Sequence, residues 1–256
     1  MENLNISRRY GSLTARLGYY VKQAYWDLRQ RDGVIAVTHC GKLVDLITSL
    51  PVASWLYQTR GKKIHFVLAR SFEPFTKIKS LLDLQEMTAD VTLAEFPVRD
   101  WECGGTPYKF DPKRYYVPVG EYYNFGFRRH PRRFVPEYVA GELGLGYDPD
   151  FHLNLGPFER TNEILCSDAY LLPEVPQATP VDFRDSLLDN ARRMAGAKES
   201  HVSQSGLFHI LDWAGIRPTK VYIYPHSVNV HLFTRNLDQL DVVYVQRNVR
   251  QGVSGT

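Results

Sequence analysis

The sequence predicts an α/β fold on parallel strands, divided into two lobes with the second one reduced. Short β-branched runs alternate with helix-period segments between residues 33 and 96, which is the pattern of a parallel sheet covered by helices. Residues 97 to 131 then break the alternation with Pro97, Pro107, Pro112, Pro118 and Pro131 among Gly104, Gly105, Gly120 and Gly126. Strand and helix signals resume beyond, so the lobes are expected at 1–126 and 127–256.

Ser7 to Gln30 reads as a leading helix, because Leu13, Leu17, Tyr20, Val21, Ala24 and Leu28 recur at three and four residue steps between basic residues. Gly33 to Thr38 is a continuous apolar run, as in a strand buried on both faces. The turn His39-Cys-Gly-Lys42 follows it. Leu43, Leu46, Ile47 and Leu50 then share one helical face, and Pro51 is expected to kink or end that helix. Lys63 to Ala69 reads as the second strand, residues 72 to 85 as the second helix and Asp90 to Phe96 as the third strand. The stretch 97–131 reads as a long loop or interlobe linker, a length that is often functional.

Beyond it, Arg133 to Leu145 reads as a helix closing on Gly144 or Gly146. Ile164 to Ser167, Glu199 to Ser203, Lys220 to Tyr224 and Asp241 to Gln246 read as four strands. Val181 to Ala197 and Gly206 to Ala214 read as helices between them, and Val249 to Thr256 as a fraying tail.

Composition narrows the class without choosing a partner. At 44 % hydrophobic and 23 % charged residues over 256 positions, the chain is an ordinary globular protein. Its formal charge of +3 is too small to imply nucleic acid or a membrane by itself. Cys40, Cys103 and Cys166 are too widely spaced for a metal cluster or a disulfide framework, and fit reduced thiols. The first thirty residues carry charges throughout, and no stretch reaches about 18 apolar residues, so a soluble, cytoplasmic protein is expected. No Gly-x-Gly-x-x-Gly follows the first strand, which argues against a dinucleotide oxidoreductase.

Chemistry is expected in two places. The first is the turn after the first strand, since ligands of open parallel sheets bind beyond the carboxyl ends of strands. There Asp45 falls in the first turn of the helix, off the apolar face, and is expected to point out of the core; a carboxylate so placed also complements the helix dipole. The second is Ser205-Gly206, where a strand ends and a helix begins. Unpaired amides and the helix dipole make such a corner an anion site suited to a diphosphate, with Ser205 able to cap the helix. His209 lies one turn further on, where a histidine is either a structural residue or a participant.

Together these segments resemble the heptosyltransferase-like glycosyltransferases of family 9. Gly41-x-x-x-Asp45 followed by Pro51 resembles that family's Gly-x-Leu-Gly-Asp-x5-Pro, and Ser205-Gly206-Leu207-x-His209 resembles its Asp-Ser/Thr-Gly-Leu-x-His; the helix at Tyr138 to Leu145 is similar to the one that precedes the second lobe. The resemblance implies a GT-B-like architecture, two Rossmann-like lobes facing across a cleft, and inverting transfer from a nucleotide sugar with no metal or other cofactor. It implies Asp45 as the base, Ser205, Gly206 and Leu207 as the donor diphosphate site, and His209 assisting. Val44 departs from the pattern where glycine is usual, and Gln204 where an acid is usual.

A third constellation is Phe125-Gly-Phe-Arg-Arg-His-Pro-Arg-Arg133, beside Tyr115, Tyr116, Tyr122 and Tyr123. Arginines among aromatics suit phosphate, sugar or base recognition, and a solvated basic loop has the same composition. His39, Gly41, Lys42, Arg128, Arg129 and Arg132 are accordingly the candidates for contacting a phosphate or an acceptor, either a glycan or nucleic acid. The departures at Val44 and Gln204 and the short second lobe also fit a non-catalytic protein of the same fold that holds a partner through this loop.

Overall fold

The computed structural model describes residues 34–39, 42–69, 73–94, 121–126, 131–224, 230–235 and 237–245. The leading helix expected at Ser7–Gln30, the tail, Gly41, Arg128, Arg129, Cys40 and Cys103 lie outside the described residues.

The first half forms a four-stranded, wholly parallel sheet in the order β3-β2-β1-β4. Its strands are β1 (Val34–His39), β2 (Lys63–Ala69), β3 (Thr88–Ala94) and β4 (Tyr122–Asn124). Ile35 and Val37 are fully buried, as expected for the apolar run of a central strand. β4 corrects the reading of 97–131 as loop or linker throughout, because Tyr122–Asn124 pairs with Ala36–Thr38. Three residues are too few to show a strand period. The chain moves from β1 through β2 to β3, then returns to the other side of β1, which makes the β1/β4 boundary a topological switch point.

Helix α1 (Leu43–Arg60) corrects the expectation that Pro51 could end it: the helix runs through the proline and ends on Gly61, whose φ of 65° is left-handed. Its N-terminal two thirds are buried almost all round, from Leu43 to Leu56. α1 is the central helix of the molecule, packed against β2 and against helices of the second half. Helix α2 (Glu73–Asp83) joins β2 to β3.

Helix α3 (Val135–Leu143) ends on left-handed Gly144, as the sequence predicts, and packs on α1. The second half then forms a five-stranded parallel sheet in the order β6-β5-β7-β8-β9. It comprises β5 (Ile164–Cys166), β6 (Thr179–Pro180), β7 (Glu199–Ser203), β8 (Lys220–Ile223) and β9 (Val242–Tyr244). β6 is one strand more than the four expected, and its Pro180 sits on an edge, where a missing N–H is tolerated. Helix α4 (Leu187–Gly196) begins later than Val181 because Ser186 caps it, accepting from the Asp189 N–H at 3.0 Å. Helix α5 (Gly206–Trp213) follows β7 and packs on α1.

One apolar core is continuous across both sheets, joining Ile35, Leu46 and Phe66 to Leu165, Val202 and Phe208. A second, small cluster of Cys166, Leu171, Val175, Ala178 and Tyr222 lies on the outer face of the second sheet. Residues 167–178, with one 3-10 turn at Ala169–Leu171, cover that face in place of an α-helix.

Candidate active site

At the end of β1, His39 is wholly enclosed, and burial drives its imidazole from the ordinary value of 6.5 down to about 3, against a smaller opposing contribution from the Asp45 backbone. It is neutral at physiological pH. Lys42 is exposed and its backbone N–H donates to Asp45 Oδ2 at 2.8 Å, closing the first turn of α1. Asp45 itself is only 2 % exposed, which corrects the expectation that it points out of the core. The sequence shows one apolar face on α1, but α1 packs on α3 and α5 as well as on β2 and is buried almost all round from Leu43 to Leu56, so a position off that face is enclosed too.

The β7–α5 corner is built differently from an ordinary capped helix. Ser205 occupies the N-cap position with extended backbone, φ −140° and ψ 174°, but its hydroxyl makes no cap hydrogen bond, a correction to its expected capping role. Ser205 Oγ, Gln204 Oε1 and His209 Nδ1 are all buried without a partner. The first helical bond is His209 N–H to Ser205 O at 3.3 Å, so the amides of Gly206, Leu207 and Phe208 have no acceptor within the helix. Ser205 Oγ and Gln204 Oε1 thus lie beside the unpaired amides of a helix start, an arrangement that suits an anion.

His209 is 1 % exposed, set between Phe208 and Phe233 with ring centroids at 4.8 and 6.1 Å. Burial lowers its pKa to about 3, offset in part by the Phe233 backbone. The ring is therefore neutral at physiological pH in the protein alone. Leu207 is a core side chain and offers the corner only its amide. Arg132 is exposed just ahead of α3.

The two segments meet. A Cβ built on Gly206 would stand 2.5 Å from Leu43 Cδ2, so the first residues of α1 and α5 are in direct contact. Asp45 lies two residues beyond Leu43, and Ser205 one residue before Gly206. The turn after β1 and the corner after β7 thus share one seam, each at the carboxyl end of a central strand.

Sequence reasoning missed a polar cluster beside that corner. The second sheet has its own switch point between β5 and β7, and there Asp168 Oδ2 accepts from Ser203 Oγ at 2.6 Å and from Ser167 Oγ at 3.0 Å. Ser167-Asp168 directly after the β5 run was the available signal. Among the described residues no group of three or more His, Cys, Asp or Glu could hold a metal ion, and no helix is long and apolar enough to cross a membrane.

No protein-family model matches the sequence, and no curated protein matches it. Solved structures do match the fold. A glycosyl transferase family 9 protein from Veillonella parvula aligns with a TM-score of 0.53 at 12 % identity, over 86 % of this chain and 87 % of that one. The heptosyltransferase WaaC of E. coli, determined with ADP, aligns with a TM-score of 0.50 at 12 % identity, over 83 % of this chain and 93 % of that one. The chain has the two-sheet α/β fold of these glycosyltransferases, which is the GT-B-like class expected from the sequence.

Proposed function

We propose that this protein is a metal-independent, inverting glycosyltransferase that uses a nucleotide-activated sugar, with residues 1–126 on the acceptor side and 127–256 on the donor side. The observation that carries the reading is the contact of Leu43 with Gly206, which brings an enclosed carboxylate and a corner of orphaned polar groups to one seam. An acceptor hydroxyl attacks the anomeric carbon from the Asp45 side, and its proton passes to the Asp45 carboxylate. The anomeric C–O bond breaks on the opposite face, and the electron pair leaves with the diphosphate. Amides of Gly206 and Leu207, the α5 dipole and the Ser205 hydroxyl meet that developing charge, which is the task a divalent cation performs elsewhere. The likeness to WaaC, determined with ADP, supports a nucleoside diphosphate donor. The acceptor is a glycan or a nucleic acid hydroxyl, approached from the side of Lys42 and Arg132.

Asp45→Asn tests this reading. Asparagine keeps an acceptor for the Lys42 N–H, so the stability measured by urea denaturation should hold within about 1 kcal/mol, whereas turnover should fall about a hundredfold or more because an amide does not take the proton. Turnover equal to that of the parent would remove Asp45 from the mechanism.

The burial of Asp45 favours a second reading, a non-catalytic protein of the same fold that holds a partner through the arginine and aromatic loop. Calorimetry against ADP-, UDP-, GDP- and CMP-sugars separates the two. Binding of none, together with a salt-steep affinity for DNA or RNA, would favour the second.

A further inference from the structure

We infer that Asp168 is a positioning residue that braces the ends of β5 and β7 and so fixes the Ser205–Gly206 corner for the donor; this rests on the donor-site reading above. Backbone pairing of β5 with β7 reaches Cys166 and His201, and the Ser167 N–H then donates to His201 O at 2.8 Å. From that point side chains continue the ladder. The Ser203 N–H donates to Ser167 Oγ at 2.9 Å, and both serine hydroxyls converge on one oxygen of Asp168, at 2.6 and 3.0 Å. The other oxygen accepts from the Tyr170 N–H at 3.0 Å, so the brace also fixes the start of the segment that covers the outer face.

The two serines are buried and Asp168 is half-buried, so these are charge-assisted bonds in a partly desolvated place. Ser203 is the last residue of β7. The Gln204 N–H is held by Tyr222 O at 3.2 Å, and Ser205 follows with no side-chain bond of its own. The corner's geometry is therefore set by its anchors, and Asp168 is the anchor on the β5 side. Its charge does not serve an anionic ligand, since a carboxylate beside a diphosphate repels it. Bracing and charge can thus be separated by substitution.

Asparagine at 168 keeps an acceptor for the Tyr170 N–H and turns its amide toward the serine oxygens, preserving the brace while deleting the charge; alanine deletes both. Hydrogen exchange of the ligand-free protein should show the amides of residues 203–207 opening about tenfold faster in Asp168→Ala, those of Val37 and Val221 unchanged, and Asp168→Asn near the parent. Should Asp168→Ala not fold, Ser203→Ala removes the shorter of the two bonds and should loosen the same amides. ADP and UDP titrated by calorimetry should bind about tenfold more weakly to Asp168→Ala, and to Asp168→Asn as tightly as to the parent or more so. Exchange at 203–207 that is the same in alanine variants and parent overturns the brace. Equal weakening by Asn and Ala overturns it too, since the bracing that asparagine keeps would then not be what holds the corner for the ligand. If the parent binds none of ADP, UDP, GDP and CMP, the donor-site reading fails, and the exchange comparison alone decides whether Asp168 fixes the corner.

Discussion

Leu43 fills the space that a side chain at Gly206 would need: Cδ2 stands 2.5 Å and Cγ 3.2 Å from where that Cβ would lie. Two helices that begin after central strands of different sheets approach this closely because one of them begins with glycine. The contact links the sequence pattern to the site, since it joins the segment bearing Asp45 to the one bearing Ser205.

A substitution at Gly206 therefore acts on the seam as well as on any ligand. Gly206→Val should destabilise the protein by about 1–3 kcal/mol through overpacking, and Leu43→Ala in the same chain should return part of that loss. Urea denaturation of the two single variants and the double variant gives the coupling. Strict additivity would mean that the residues do not press on one another.

This seam also marks how far the sequence could be read. β1, β2 and β3 were legible because Ile35 and Val37, Phe66 and Val67, and Val91 belong to runs long enough to show their burial. β4 and β6 were not, since Tyr122–Asn124 and Thr179–Pro180 take their strand character from the neighbour they pair with. The continuity of α1 through Pro51 was hidden for a similar reason. An interior proline costs about 3 kcal/mol, and the burial of the α1 residues around it, Val52, Ala53 and Leu56 among them, against the rest of the fold offsets that. Asp45 looked wet because periodicity shows one apolar face and says nothing of a helix that tertiary packing buries almost all round from Leu43 to Leu56. The pairing of Asp168 with Ser203 spans 35 positions, beyond any local window.

Acid stability follows from three buried groups of opposite sign. His39 and His209 titrate near 3 in the folded protein and near 6.5 unfolded, so the unfolded chain binds more protons and stability falls as pH drops below 6.5. Asp212 is raised to about 6 by burial, against the Arg235 backbone N–H and charge. Its folded form keeps a proton that the unfolded form releases near 3.8, which adds stability in acid and loses it as pH rises from about 4 to about 6. Each proton is worth about 1.4 kcal/mol per pH unit, and two histidines outweigh one aspartate. Urea midpoints measured from pH 7 to 4.5 should fall with acid, less steeply in His209→Gln and more steeply in Asp212→Asn. A flat profile in the parent would show that the histidines are hydrated in solution.

Arg235 ties the segment between the two sheets to the second half. Its Nη1 donates to Phe151 O at 2.7 Å and its Nη2 to Pro149 O at 3.2 Å, while the guanidinium carbon lies 5.2 Å from the centre of the Trp213 ring. Its own N–H donates to Asp212 Oδ2 at 2.9 Å, and the Leu153 N–H donates to Trp213 O at 2.8 Å. The start of the same segment is bound to the first half, where Asp148 Oδ2 accepts from Ser54 Oγ at 2.7 Å and from Gln58 Nε2 at 2.8 Å. A planar fork that reaches two carbonyls and also stacks on an indole is not reproduced by an ammonium. Arg235→Ala should cost about 2–3 kcal/mol in urea denaturation and speed exchange of the Leu153 amide, and Arg235→Lys should recover less than half of that. Full recovery by lysine would mean that charge near Trp213, rather than the two-carbonyl fork, holds the segment in place.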